Sequence, residues 1–212
     1  MKYEIGKTYT YEGEIKICKT GFHACRNLKD VFMHYPLEKQ YRYFEITTPK
    51  IVDWVVDKVV CKEITFVREL TVQEIQDEVL KSNELYYVTI FARCIKGANI
   101  KLLQAKILES DNPYYTYLFA RDVEGANIDL LQKRIAELSS SCYIYLFAKD
   151  VKGADIDLLQ KRIVELGNSE HIYYFANEVE NADIGLLKTR ILELGDFVYV
   201  SLVKRGIIRT FN

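Results

Sequence analysis

The sequence predicts an α+β protein. A small mixed α/β domain over residues 1–70 precedes an array of α-helical hairpins, an α-solenoid, over residues 71–212. Three observations carry this prediction. A 28-residue pattern recurs four times in the second part. Within each copy, apolar residues fall at i, i+3, i+4 and i+7, the spacing of one helical face. The first 70 residues instead show short runs rich in β-branched and aromatic side chains, the composition of strands.

The repeat is read from residues that return in register. Phe-Ala pairs stand at Phe91-Ala92, Phe119-Ala120, Phe147-Ala148 and Phe175-Ala176. Gly97, Gly125, Gly153 and then Asn181 follow, each ahead of an alanine. Next come Asn99, Asn127, Asp155 and Asp183, then an isoleucine and a Leu-Leu pair, from Leu102-Leu103 to Leu186-Leu187. Ile107, Ile135, Ile163 and Ile191 close the unit, with a glutamate two positions on. So dense a match over four copies marks a repeat architecture.

Each unit reads as two helices. Val88, Phe91, Ala92 and Ile95 share one face of the first, and Gly97 is expected to end it in the left-handed conformation. Asn99, Asn127, Asp155 and Asp183 are expected to cap the second helix, their side-chain oxygens accepting a free backbone N–H. Ile100, Leu103 and Ile107 form the apolar stripe of that helix. Half units are expected at both ends, as stacked repeats need. Thr71 to Val79 reads as a second helix with a Thr71/Glu74 capping box, and the segment from Phe197 to Ile208 reads as a last first-helix.

Two surfaces of the array are candidates for binding. The first helices carry tyrosine columns, notably Tyr117, Tyr145 and Tyr173. Helices apolar nearly all round are usually buried. The alternative is an exposed concave face, in which Tyr117, Arg121, Tyr145 and Lys149 form a partner-binding centre, since tyrosine and arginine dominate such centres. The positions around them vary between units: Arg93, Arg121, Lys149, Asn177, and Lys96, Glu124, Lys152, Glu180. The second helices carry Lys106, Arg134, Arg162 and Arg190, each three residues before a glutamate, which reads as a solvated face of i,i+3 ion pairs.

In the first 70 residues, 7–11, 15–18, 41–46 and 63–67 read as strands, with Glu12-Gly13-Glu14 as a hairpin turn. Asn27 to Tyr35 reads as a helix capped by Asn27, with Pro36 just past its end. The blocks Gly6-Lys7-Thr8-Tyr9, Cys18-Lys19-Thr20-Gly21-Phe22-His23-Ala24-Cys25, Asp30-Val31-Phe32, Tyr35-Pro36 and Val67-Arg68-Glu69-Leu70 resemble an uncharacterised domain of phages and prophages. The Phe-Ala…Gly-Ala-Asn/Asp-Ile repeat is likewise similar to 28-residue repeats of phage and prophage proteins. The resemblance implies an accessory protein acting in the cytoplasm of a bacterial host.

Bulk composition limits the function. The chain of 212 residues has a formal net charge of −1, so no global field draws it to nucleic acid or anionic lipid. No run of 18 apolar residues predicts a membrane span, and the first residues lack the apolar core of a signal peptide. Five scattered cysteines fit reduced thiols better than a disulfide framework. Cys18, His23, Cys25 and Cys61 are a weak candidate zinc set, with spacing unlike the usual finger forms; otherwise no metal, cofactor or catalytic residue is indicated. The expected function is therefore non-enzymatic protein binding by the helical repeats, and the resemblance to phage and prophage modules implies that the partner is a host protein to be modulated, such as a defence nuclease. Two alternatives are a degenerate ADP-ribosyltransferase-like enzyme using His23, and a single-stranded RNA binder using the tyrosines for stacking.

Overall fold

Small antiparallel sheets come first and a run of helices follows. A computed structural model describes residues 3–39 and 41–208. The chain divides into two compact units, residues 1–99 and 100–212.

In the first unit, six short strands make two three-stranded antiparallel sheets. Strands β1 (Thr8–Thr10), β6 (Glu63–Glu69) and β3 (Phe44–Thr47) form one, in the order β1-β6-β3. Strands β2 (Phe22–Ala24), β5 (Val59–Cys61) and β4 (Ile51–Trp54) form the other, in the order β2-β5-β4. Val59, Cys61, Ile64 and Phe66 make the core, with Tyr9, Phe22, Phe44 and Ile46 packed on it. The expected strands at 7–11, 41–46 and 63–67 are present in part or whole. Residues 15–18 are not a strand: the chain turns there through Cys18, at φ 60°, and closes with a single Lys16–Thr20 bridge. Glu12-Gly13-Glu14 joins no hairpin, because β1 pairs with β6 instead.

The Gly-Phe-His block has a steric reason. Gly21 sits at φ 103°, and a β-carbon there would lie 2.8 Å from a methyl of Val60. Only glycine meets both demands. Helix α1 (Leu28–His34) follows, with Asn27 in the extended N-cap conformation. Its side chain does not cap the helix; the amide donates to Asp30 at 2.9 Å instead.

The same unit contains α2 (Val72–Lys81) and α3 (Leu85–Cys94). Thr71 and Glu74 form the expected reciprocal capping box. Val79, Val88 and Phe91 are fully buried. Phe32 of α1 packs its ring against Tyr87 at 5.5 Å, and Tyr86 donates to Glu38.

The second unit is helical throughout its described length. It comprises α4 (Ile100–Leu108), α5 (Pro113–Asp122), α6 (Ile128–Glu137), α7 (Ser141–Asp150), α8 (Ile156–Leu166), α9 (Ser169–Glu178), α10 (Ile184–Leu194) and α11 (Phe197–Lys204). Phe119, Phe147 and Phe175 are fully buried, as are Leu103, Leu131, Leu159 and Leu187. Aromatic contacts between successive units run through tyrosines: Tyr117–Tyr143, Tyr145–Tyr174 and Tyr173–Tyr199.

The glycine of each repeat does not cap its helix. The first helices end at Cys94, Asp122, Asp150 and Glu178, and the residue after each is extended. Gly97, Gly125 and Gly153 come two residues later, at φ 86°, 79° and 84°, and Asn181 at φ 61°. Ala98, Ala126 and Ala154 donate back three residues, to Ile95, Val123 and Val151. The glycine is thus the third residue of a tight turn that requires positive φ.

Candidate functional site

The zinc candidates are not brought together. Cys18 is exposed in its turn, whereas Cys61 is buried in β5. In the β2–β5 register Phe22 faces Cys61, while His23 faces Val60. Neighbouring residues of a strand point to opposite sides, so His23 and Cys61 lie on opposite faces. Among the described residues no group of three or more His, Cys, Asp or Glu side chains is placed to hold a metal ion. Burial, and next Lys58, push the His23 imidazole below its ordinary range. Its Nε2 is buried without a hydrogen-bond partner. Burial, and then Asp30 and Asp57, push the Cys25 thiol up, away from the thiolate a nucleophile needs. Two grooves of the first unit, of about 200 and 630 Å³, are lined by other residues than His23.

The tyrosine centre is a structural clasp. Tyr117 and Tyr145 are only 5% and 8% exposed, which overturns the exposed column. Their hydroxyls are satisfied across the gap to the next repeat. Tyr117 donates to Asp150 and Tyr145 to Glu178, both at 2.6 Å. Arg121 donates to Tyr117 at 3.0 Å and holds both carboxylate oxygens of Asp122. Lys149 pairs with Glu178 at 2.5 Å. Burial, and then the Glu178 carboxylate, raise the Tyr145 hydroxyl to about 12. Lys149 and Tyr145 hold Glu178 below its ordinary value. Arg121 and Lys149 are therefore engaged within the array. A buried Tyr hydroxyl needs a partner, and the acid 33 residues on supplies it. That spacing becomes meaningful only once adjacent units are known to touch.

Sequence reasoning missed a second set of clasps. Gln76, Gln104, Gln132 and Gln160 are buried at 1–5% exposure. Each accepts, through Oε1, the backbone N–H of the residue 23 positions on: Asn99, Asn127, Asp155 and Asp183, at 2.6–2.7 Å. Three of those residues then cap their helices as expected. Asn127 accepts from the N–H of Leu130, Asp155 from Leu158 and Asp183 from Leu186. The recurrence of glutamine in the middle of an apolar stripe was the available signal.

The second-helix arginines do more than form ion pairs. Arg134, Arg162 and Arg190 pair with Glu137, Glu165 and Glu193. They also donate to main-chain carbonyls near the end of the preceding second helix: Ser110, Ala136 and Val164. Carbonyls at a helix C-terminus lack a full set of intrahelical partners, although that of Ala136 also accepts from the Ser139 N–H.

An apolar row also remains outward. Leu102, Leu130, Leu158 and Leu186 are 47%, 50%, 41% and 42% exposed. They take the same position on α4, α6, α8 and α10, each beside a leucine that is fully buried.

The fold defines a class: a small antiparallel β domain followed by a run of helices in sequence repeat. Residues 1–78 match the family model of a domain of unknown function, DUF7666. No curated protein and no solved structure matches the chain. Among the described residues no helix is long and apolar enough to cross a membrane.

Proposed function

We propose that this chain is a protein-binding helical-repeat protein whose residues 71–212 form an α-solenoid, and that it acts without catalysis of its own. One observation carries the reading. The leucines that build the core are completely buried, while four more at a fixed neighbouring position are 41–50% exposed. Repetition of an apolar side chain that the core does not enclose marks a surface kept for contact. The notable histidine and thiols of the first unit are not assembled into a reactive group, which supports the non-enzymatic reading over a transferase. Burial of Tyr117 and Tyr145, two of the three tyrosines in the stacking column with Tyr173, weighs against a single-stranded RNA binder.

The resemblance to phage and prophage modules gives this reading its setting: the bacterial cytoplasm, with a host protein as the partner. Modulation of a host factor such as a defence nuclease is the concrete form. That step is by analogy of modules, not by site chemistry. The test is affinity purification of the tagged full chain from bacterial lysate, with salt washes and mass spectrometry. Stoichiometric recovery of one protein is expected. Recovery of none would remove the proposal.

A further inference from the structure

We infer that the exposed face of the second helices docks an amphipathic α-helix of a partner protein, laid across α4, α6, α8 and α10. This rests on the protein-binding reading above and names its surface and the form of its partner.

The second helices are successive neighbours. Arg134 of α6 reaches Ser110 and Asp111, just past α4. Arg162 of α8 reaches Ala136 of α6, and Arg190 of α10 reaches Val164 of α8. Packed helices lie about 8–10 Å apart, so Leu102, Leu130, Leu158 and Leu186 recur at about that interval. Two turns of an α-helix advance about 10.5 Å and return a side chain to the same face. A β-strand covers a similar distance in three residues, but its side chains then point to opposite faces. A polyproline helix returns to one face in about 9.3 Å, yet the grooves that read it are lined with aromatic rings. None of these four helices contains an aromatic residue. The spacing and the lining both select an α-helix with an apolar residue every seventh position.

Charge fixes the flanks of that helix. In the two central units Asp129 and Asp157 precede the exposed leucine by one residue, and Lys133 and Lys161 follow it by three. All four are exposed, and their side chains form no hydrogen bond or ion pair with other described residues. The neighbouring arginines and glutamates, in contrast, are paired with each other. Aspartates therefore line the N-terminal side of the leucine row and lysines its C-terminal side. The complementary partner has basic residues on one flank of its apolar stripe and acidic residues on the other. The outer units have Lys101 and Ala105, or Gly185 and Thr189, at these positions. Charge selection thus resides at the centre.

The test uses the full chain and a fluorescent synthetic helix of about four heptads, with Leu at every seventh position, Lys along one flank and Glu along the other. Controls carry Lys on both flanks, or Glu on both. Anisotropy should show saturable binding of the mixed helix, tighter than either control by about fivefold, as a few exposed ion pairs allow. Leu130→Asp with Leu158→Asp should abolish binding, and Leu130→Gln with Leu158→Gln should weaken it. Unchanged circular dichroism and melting temperature in the Gln variant keep the comparison valid should the Asp variant unfold. Asp129→Lys with Asp157→Lys should turn the preference toward the all-Glu helix. Absence of saturation, equal affinity for the three helices, or full binding by a folded leucine variant would overturn the inference. The two readings fail separately. If the leucine variant still retains the partner recovered from lysate, the leucine face is excluded while protein binding stands. If the native chain recovers no partner, protein binding itself falls.

Discussion

At the scale of residues, the repeat is held by polar side chains that reach from one unit to the next. Gln132 accepts the N–H of Asp155 at 2.7 Å from a site 5% exposed. Its replacement by Leu leaves that N–H without its acceptor, which costs about 1–3 kcal/mol; urea denaturation of Gln132→Leu measures it. Tyr145 gives a pH-dependent counterpart. Its hydroxyl is raised to about 12, above the ordinary value near 10, so the folded chain holds this proton more tightly than the unfolded chain does. The resulting stability is complete below pH 10 and is lost as pH rises through about 12. The urea midpoint of the native chain should therefore fall over that interval more steeply than that of Tyr145→Phe. Parallel curves for the two proteins would show that the Tyr145–Glu178 contact does not stabilise the fold. Glu178 acts in the opposite direction: its value is depressed, and its contribution is lost as pH falls through the acid range.

At the scale of elements, the helices were legible and half of the strands were not. A helix face repeated four times identifies itself, and the spacing of Phe147 puts it on the face that is buried. Phe147→Ala should lower stability by about 3–5 kcal/mol, the usual penalty for a buried Phe, and a thermal or urea transition like that of the native chain would refute its placement. Strands β2, β4 and β5 have only three or four residues each. Such segments carry too few side chains to show alternation, and their pairing depends on residues far away in sequence. Glycine was legible as a special position but not in its role. The tight turn, not the helix end, demands positive φ at Gly153, where a β-carbon would meet no atom within 4 Å. Only backbone strain then opposes a side chain, by roughly 1–2 kcal/mol. The fourth unit already has Asn181 there at φ 61°. Gly153→Asn should accordingly be tolerated better than Gly153→Ala, and Gly153→Val should be the worst of the three in melting temperature.

At the scale of the whole molecule, the distribution of charge supports the proposal of a protein partner over a nucleic-acid one. Residues 71–212 contain 17 Lys and Arg against 20 Asp and Glu, and many of the cations are committed locally. Arg121 holds Asp122 and the Tyr117 hydroxyl, Lys149 holds Glu178, and Arg134, Arg162 and Arg190 hold glutamates and helix-end carbonyls. Lys133 and Lys161 carry no such bond, but Asp129 and Asp157 stand near them in the same helices. A strand of phosphates on this face would lie beside aspartates as well as lysines. Counterion release, which drives phosphate binding and makes it fall steeply with salt, needs an uninterrupted basic track. The full chain should therefore show no retention of single-stranded RNA at physiological salt and only a shallow salt slope below it. A steep slope, equivalent to several phosphate contacts, would show that the array gathers cations in a way its paired side chains do not indicate. It would also favour nucleic acid over the helical protein partner proposed for the leucine row.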